Sequence, residues 1–373
     1  MKNTSNVKEK VLIVIPIINN YKIYKDPFYY KDNIENRKSE TISLIHALNV
    51  KVIDVLSIKI NNFSSANLFN KNVLDSILQS TQKLKISLLI IDFQLSPIQQ
   101  RNLENELNVK VIDRTGLILE IFGSRANSNE GKLSVELASL QFQKSRLVRS
   151  WTHLERQRGG AGFMGGPGEK RIESDKRQLT EKINRLKKKI KKIISIRDIQ
   201  RYRRKKNKLP VIALVGYTNS GKSTLFNKLT KSNVLSKDML FASLDSTIRK
   251  SFFKNINLLF VDTVGFISDL PTTLVDSFKS TLDEIIYSDL ILHIRDISND
   301  YYLEQKKEVL KILQEIGIDN HEEKIIDVIN KVDLIDNTNK LHNLVDEKTI
   351  LISASEGIGI DNLKNKIYQK ILT

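Results

Sequence analysis

Near the middle of the chain, Gly216-Tyr217-Thr218-Asn219-Ser220-Gly221-Lys222-Ser223 has the pattern G-x-x-x-x-G-K-[ST] and lies directly between a strand-like and a helix-like segment. That spacing suits the phosphates of a nucleotide. Glycines let the backbone wrap the anion, while successive N–H groups and the helix N-terminus, with Thr224 next in line, point at it. Lys222 is then expected to reach the β- and γ-phosphates and Ser223 to ligate Mg²⁺. A chance glycine turn would rarely carry both flanks.

Three further motifs follow in a fixed order. Asp262-Thr263-Val264-Gly265 closes a strand; Asp262 is expected to act on Mg²⁺ through water, and the Gly265 N–H to meet the γ-phosphate. Asn330-Lys331-Val332-Asp333 follows a buried strand, and its Asp and Asn can pair with the amine, ring N–H and keto edge of guanine, which adenine does not present. Ser353-Ala354 after the next strand offers a backbone N–H for the keto oxygen. An ATPase reading would leave Asn330 to Asp333 without a task, so the order indicates GTP and GDP. Between the phosphate loop and Asp262, the stretch Phe241 to Thr247 is the candidate switch segment, with Thr247 as the second hydroxyl ligand of Mg²⁺; a surface threonine in a loop rich in hydroxyls is the alternative. Lys222, Thr247 and Gly265 are thus the groups expected at the reacting phosphate. Phe266 stands where a water-orienting side chain is needed, and a phenyl ring cannot hydrogen-bond water, which implies slow intrinsic hydrolysis dependent on a partner.

These residues need elements to hold them. From Leu209 onward, strands near 211–215, 258–261, 290–294, 325–329 and 350–352 alternate with helices over 222–230, 273–287, 301–316 and 359–371, the pattern of a doubly wound α/β domain with a mostly parallel sheet. A smaller α/β alternation precedes it, with strands at 11–17, 50–58, 86–91 and 109–112 and helices at 40–48, 70–84 and 96–107. Ser96-Pro97 is a good helix start. Between the two domains, Leu133, Leu137, Leu140, Leu147, Trp151 and Leu154 form a heptad stripe, and Ile172, Leu179, Ile183, Leu186, Ile190 and Ile193 a second one. The glycine-rich Gly159 to Gly168 joins them. The expected organisation is an N-terminal α/β domain over 1–125, an antiparallel helical hairpin over 126–208 with its tip at 159–168, and a nucleotide-binding domain over 209–373. Two helices packed separately on the flanking domains are the alternative to a hairpin.

Composition narrows the rest. The 373 residues carry 60 Lys plus Arg against 43 Asp plus Glu, a net charge of +17, which favours an anionic partner such as nucleic acid. The stretch 182–208 holds fourteen of the basic side chains and one acid, Asp198. The absence of cysteine excludes disulfides and thiolate metal sites, and the five histidines have no metal-like spacing. No apolar run is long enough for a signal sequence or a membrane span, so a cytoplasmic protein without stable membrane insertion is expected.

Together these motifs resemble the HflX family of ribosome-associated GTPases, within the Obg and HflX group of translation-factor-class phosphate-loop GTPases. The resemblance runs from about Asp92 to the end. It is carried by Leu95-Ser96-Pro97, Arg101 to Glu104, Val111 to Leu119, Glu130 to Leu133, Arg146 to Arg149, Trp151 to Gln157, Gly166 to Glu169, Asp262 to Phe266, Leu270-Pro271, Leu274-Val275 and Phe278 to Leu282. Phe266 is itself a family trait. Lys170-Arg171 depart from the family's usual Thr-Gln, Ser246 stands in place of a Pro, and many relatives have another C-terminal domain.

The resemblance implies the three-part fold and binding to the large ribosomal subunit and ribosomal RNA, not DNA. It also implies GTP hydrolysis stimulated by the ribosome, and splitting of stalled or idle ribosomes with the hairpin tip pushed into RNA. A monomer in solution is expected. A GTPase of large-subunit assembly or RNA maturation, and a non-catalytic RNA-binding scaffold, are the competing functions.

Overall fold

The computed structural model describes residues 9–18, 34–48, 50–61, 64–157, 167–232, 241, 246–269, 279–318, 324–335 and 349–372. Residues 159–166 of the glycine-rich tip, residues 242–245 of the candidate switch and residues 270–278 lie outside this set. The chain forms two compact units, Met1–Ser124 with Val135–Lys188, and Arg125–Ser134 with Lys189–Thr373.

The first unit is built on a wholly parallel sheet of order β2-β1-β3-β4, comprising β1 (Lys10–Ile18), β2 (Lys51–Ile60), β3 (Leu88–Ile91) and β4 (Lys110–Asp113). Central β1 is buried from Val11 to Ile18, as expected of a parallel strand covered on both faces. Pro16 lies beyond the β1–β3 ladder, which ends at Val14, and the strand runs past it. The helices are α1 (Ile34–His46), α2 (Lys71–Leu84), α3 (Pro97–Leu107) and α4 (Arg114–Arg125). Ser96 caps α3 in a reciprocal box with Gln99, with Pro97 at the first helical position.

Two points differ from the sequence reading. Helix α1 starts at Ile34, ahead of the expected Glu40. Helix α4 was not anticipated: Asp113 ends β4 and at once caps a helix, its Oδ1 accepting from the Gly116 N–H (2.9 Å). The apolar run Leu117 to Leu119 then packs as a helix face rather than continuing the strand.

A buried charge network closes the carboxyl ends of β1 and β3. Arg37 donates to the Pro16 carbonyl (2.6 Å) and to Asp92, while Arg114 bridges Asp92 (2.7 Å) and Glu40 (2.7 Å). Burial works against the Asp92 charge, yet the Arg114 and Arg37 guanidiniums hold its carboxyl below the ordinary value.

Helices α5 (Asn129–Gln157) and α6 (Pro167–Lys206) are both shared between the units. Glu130 in the first turn of α5 pairs with Arg197 near the end of α6 (2.7 Å). On α6 the heptad positions Ile183, Leu186 and Ile190 are buried, as their spacing requires. On α5 the buried residues include Val135, Leu137 and Ala138, with Leu133 and Leu140 only half-buried, so its packed face is wider than the stripe.

The second unit carries a six-stranded sheet of order β10-β9-β8-β5-β7-β6: β5 (Val211–Gly216), β6 (Thr247–Phe253), β7 (Ile256–Asp262), β8 (Leu290–Asp296), β9 (Ile325–Asn330) and β10 (Thr349–Leu351). All pairs are parallel except β6–β7. Its helices are α7 (Lys222–Thr230), α8 (Lys279–Ile286), α9 (Tyr302–Glu315) and α10 (Ile360–Leu372). The core gathers Ile212, Leu214, Leu225, Phe226, Leu292 and Val328 between sheet and helices. Edge strand β6, Thr-Ile-Arg-Lys-Ser-Phe-Phe, has no polar–apolar alternation to announce it and gains its place from a hairpin turn at Lys254-Asn255, both in the left-handed region. Among the described residues no helix is long and apolar enough to cross a membrane.

Candidate nucleotide-binding site

β5 lies between β7 and β8, so its following loop leaves the sheet at the crevice where open α/β sheets bind ligands. Gly216 is required there because a Cβ would run into the Ile294 carbonyl oxygen. Asn219 and Gly221 take φ of 62° and 89°, left-handed turns that roll backbone N–H groups toward one side. At Gly221 a Cβ would also strike the Asn330 amide. Helix α7 then begins with no side-chain cap, leaving the first-turn donors of Lys222, Ser223 and Thr224 for an anion. The Thr218 and Ser220 hydroxyls are buried with no hydrogen-bond partner among the described residues, as a phosphate cradle would leave them.

Lys222 is buried and its Nζ donates to the Tyr217 carbonyl (2.7 Å). Burial lowers its ammonium to about 8, with the Asp262 carboxylate pulling the other way. A Cβ on Gly265 would stand 2.9 Å from that Nζ and 2.8 Å from Thr218 Cγ2, so the Gly265 backbone lies against the loop.

The residues expected around Mg²⁺ come together from three elements. Asp262, fully buried at the end of β7, accepts from the Ser223 hydroxyl through Oδ2 (2.7 Å). Thr247 opens β6 directly across the ladder from Asp262, in a strand rather than a loop. Two hydroxyls flanking a buried carboxylate are the oxygen donors that a hard cation prefers, so the set fits the ion.

Some expected contacts are already engaged inside the protein. The Thr263 hydroxyl donates to the Leu214 carbonyl (2.6 Å), tying β7 to β5, while Val264 is half-buried beside it. Asn330 uses both ends of its amide: Nδ2 donates to the Ser220 carbonyl (2.9 Å) and Oδ1 accepts from the Ala354 N–H (2.9 Å). Asn330 therefore acts first as a brace between the phosphate loop and the Ser353-Ala354 loop. Asp333 sits exposed on the short 3₁₀ turn Val332–Leu334, which the Val332 N–H joins to the Ile352 carbonyl (3.3 Å). Lys331 is held by Asp296 (2.7 Å).

Phe266 is 2% exposed, its ring directed into the core. Its backbone accepts from the Thr218 N–H (2.8 Å) and donates to the Gly216 carbonyl (3.1 Å), so it buttresses the phosphate loop. Sequence reasoning missed the Tyr217 phenol, which meets Ser268 Oγ (2.6 Å) and accepts from the Ser268 N–H (2.7 Å). Nothing in residue type marks that pair, because it joins segments 51 residues apart.

Comparison with known proteins agrees with this site. Family models described as GTP-binding GTPase N-terminal, GTP-binding GTPase Middle Region and 50S ribosome-binding GTPase match residues 35–123, 125–204 and 211–331. The GTPase HflX of Magnetococcus marinus is 41% identical over 348 residues, covering 93% of this chain and 80% of that protein. The GTPase HflX of Escherichia coli is 41% identical over 299 residues, covering 79% and 70%. A solved complex of SsGBP with GDP is 27% identical with a TM-score of 0.51, covering 97% of this chain and 98% of that one. With this identity spread over most of both chains, and a phosphate loop built as described, the chain belongs to the HflX family of GTPases: it binds guanine nucleotide and hydrolyses GTP.

Proposed function

We propose that the GTP-bound chain docks on the large ribosomal subunit in the cytoplasm, drives its helical hairpin into ribosomal RNA and splits stalled or idle ribosomes, and that the ribosome stimulates hydrolysis. One observation carries this reading. Phe266, which follows Gly265, is buried in the core and cannot orient water, in a chain whose α6 presents a row of exposed lysines. Such a site stays slow until a partner supplies the missing group, and the lysines select an RNA-rich partner. The matched description, 50S ribosome-binding GTPase, supports the same partner.

In this reading residues 1–125, 126–208 and 209–373 act as N-terminal domain, hairpin and GTPase domain. Lys222 and the loop N–H groups of Gly216 to Thr224 hold the phosphates, and the Gly265 N–H meets the γ-phosphate. Asp333 reads the guanine edge, with Asn330 and the Ser353-Ala354 loop walling the base. Mg²⁺, held by Ser223, Thr247 and through water by Asp262, would draw charge from the phosphate oxygens.

The test is sedimentation of intact ribosomes with the protein and GTP, a non-hydrolysable analogue or GDP. Splitting with GTP and the analogue but not GDP is the expected result; binding to precursor subunits alone would favour an assembly role instead. Basal turnover should be slow, and Phe266→Leu should keep the ribosomal stimulation while lowering stability by about 1 kcal/mol in a thermal melt. Fast turnover of the unmodified protein without ribosomes would contradict the reading.

A further inference from the structure

Within the second unit, a cavity of about 660 Å³ opens where the end of α6 meets the GTPase fold, away from the phosphate loop. Its framework is an ion-pair clamp. Glu284 of α8, 3% exposed, accepts from Arg201 Nε (3.1 Å) and NH2 (2.9 Å) through Oε1 and from Arg204 (3.2 Å) through Oε2. The Arg201 guanidinium also lies 4.8 Å over the Tyr287 ring and so fixes its plane. These two arginines, counted by the sequence among charges facing an anion, are neutralised within the fold.

What remains on the cavity wall is unusual for a protein surface. Tyr202 and Tyr287 line it at 71% and 62% exposure, and Lys205 and Lys208 line it with no acidic partner among the described residues. Leu209 and Pro210 add apolar lining. Exposed rings beside unpaired ammonium groups are the chemistry that takes a stacked base with its phosphate. The size suits one or two nucleotides. Among the described residues no glycine lines this cavity, so its lining differs from the glycine-built cradle of the phosphate loop.

We propose that this cavity holds one or two unpaired nucleotides of an RNA strand, with bases stacked on Tyr202 and Tyr287 and phosphates on Lys205 and Lys208. The site deepens the ribosomal reading, which otherwise places the RNA contact at the hairpin tip, and its test needs no ribosomes.

The full chain, loaded with GDP, is titrated with a short fluorescent oligoadenylate, with an RNA duplex as comparison. The single strand should bind in preference to the duplex. Tyr202→Ala with Tyr287→Ala should weaken it about tenfold or more, whereas Tyr202→Phe with Tyr287→Phe should retain it, because stacking needs the ring and not the hydroxyl. Lys205→Gln with Lys208→Gln should reduce the slope of log affinity against log salt by about 1.4. GDP affinity should be unchanged in all of these variants. Photocrosslinking of a thiouridine-bearing strand should reach Tyr202 or Tyr287. Affinity unchanged in the alanine pair, loss in the phenylalanine pair, or crosslinks confined to other parts of the chain would overturn the proposal. Ribosome sedimentation could still succeed in that event, so the two readings fail separately.

Discussion

Lys222→Met should stabilise the nucleotide-free protein while removing its affinity for GTP. The ammonium is buried and its pKa falls to about 8 from 10.5 in an unfolded chain. Below about pH 8 both states carry the proton, and the native state bears the whole desolvation penalty, about 3 kcal/mol by linkage. Between about pH 8 and 10.5 the native state gives up its proton first, so stability of the unmodified protein rises across that window. Methionine fills similar space without charge. The Tyr217 carbonyl then lacks its donor, which leaves a net gain of about 1–2 kcal/mol near neutral pH. Against a triphosphate the same side chain would make charge-assisted bonds of about 1.5–3 kcal/mol each, so two of them account for more than a hundredfold in affinity. Thermal melts at neutral and alkaline pH, beside titration with a fluorescent GTP analogue, check both halves. The melting curves of variant and parent should cross between about pH 8 and 10.5, the parent becoming the more stable of the two above the crossing. A variant that melts lower and still binds GTP normally would remove Lys222 from the site.

Asp333→Asn should exchange guanine for xanthine. An exposed carboxylate on the 3₁₀ turn can accept from the guanine ring N–H and amino group together, whereas an amide turns a donor toward those donors. Loss of a bidentate charge-assisted pair, with a facing donor left unmet, costs about 4–5 kcal/mol, on the order of a thousandfold in GTP affinity. Xanthine offers a keto oxygen in place of the amino group, so the variant should bind and hydrolyse xanthosine triphosphate in preference. Competition between the two nucleotides on parent and variant measures the exchange. Retention of guanine preference by the variant would assign base selection to another residue.

The sequence by itself determined the phosphate loop, the Asp262 to Gly265 turn and the Asn330 to Asp333 motif, because each is a short backbone pattern at the end of a strand. Their geometry follows from glycine freedom and from the helix that begins at Lys222, both local properties. The α6 heptads were legible for the same reason, since burial of Ile183, Leu186 and Ile190 follows from spacing alone. Helix α4 was not, although Asp113 carried a capping signal, because the apolar run after it satisfies strand and helix periodicity equally.

Only the tertiary structure decided what the polar side chains do. Arg37, Asp92, Arg114 and Glu40 are joined across as many as 74 residues, and Arg201 finds Glu284 across 83. Asn330 reaches Ser220 across 110 residues, a brace to the phosphate loop that its residue type does not announce. The physical reason is that any guanidinium can serve any carboxylate or carbonyl in range, so residue type supplies the chemistry but only the packed fold selects the partner.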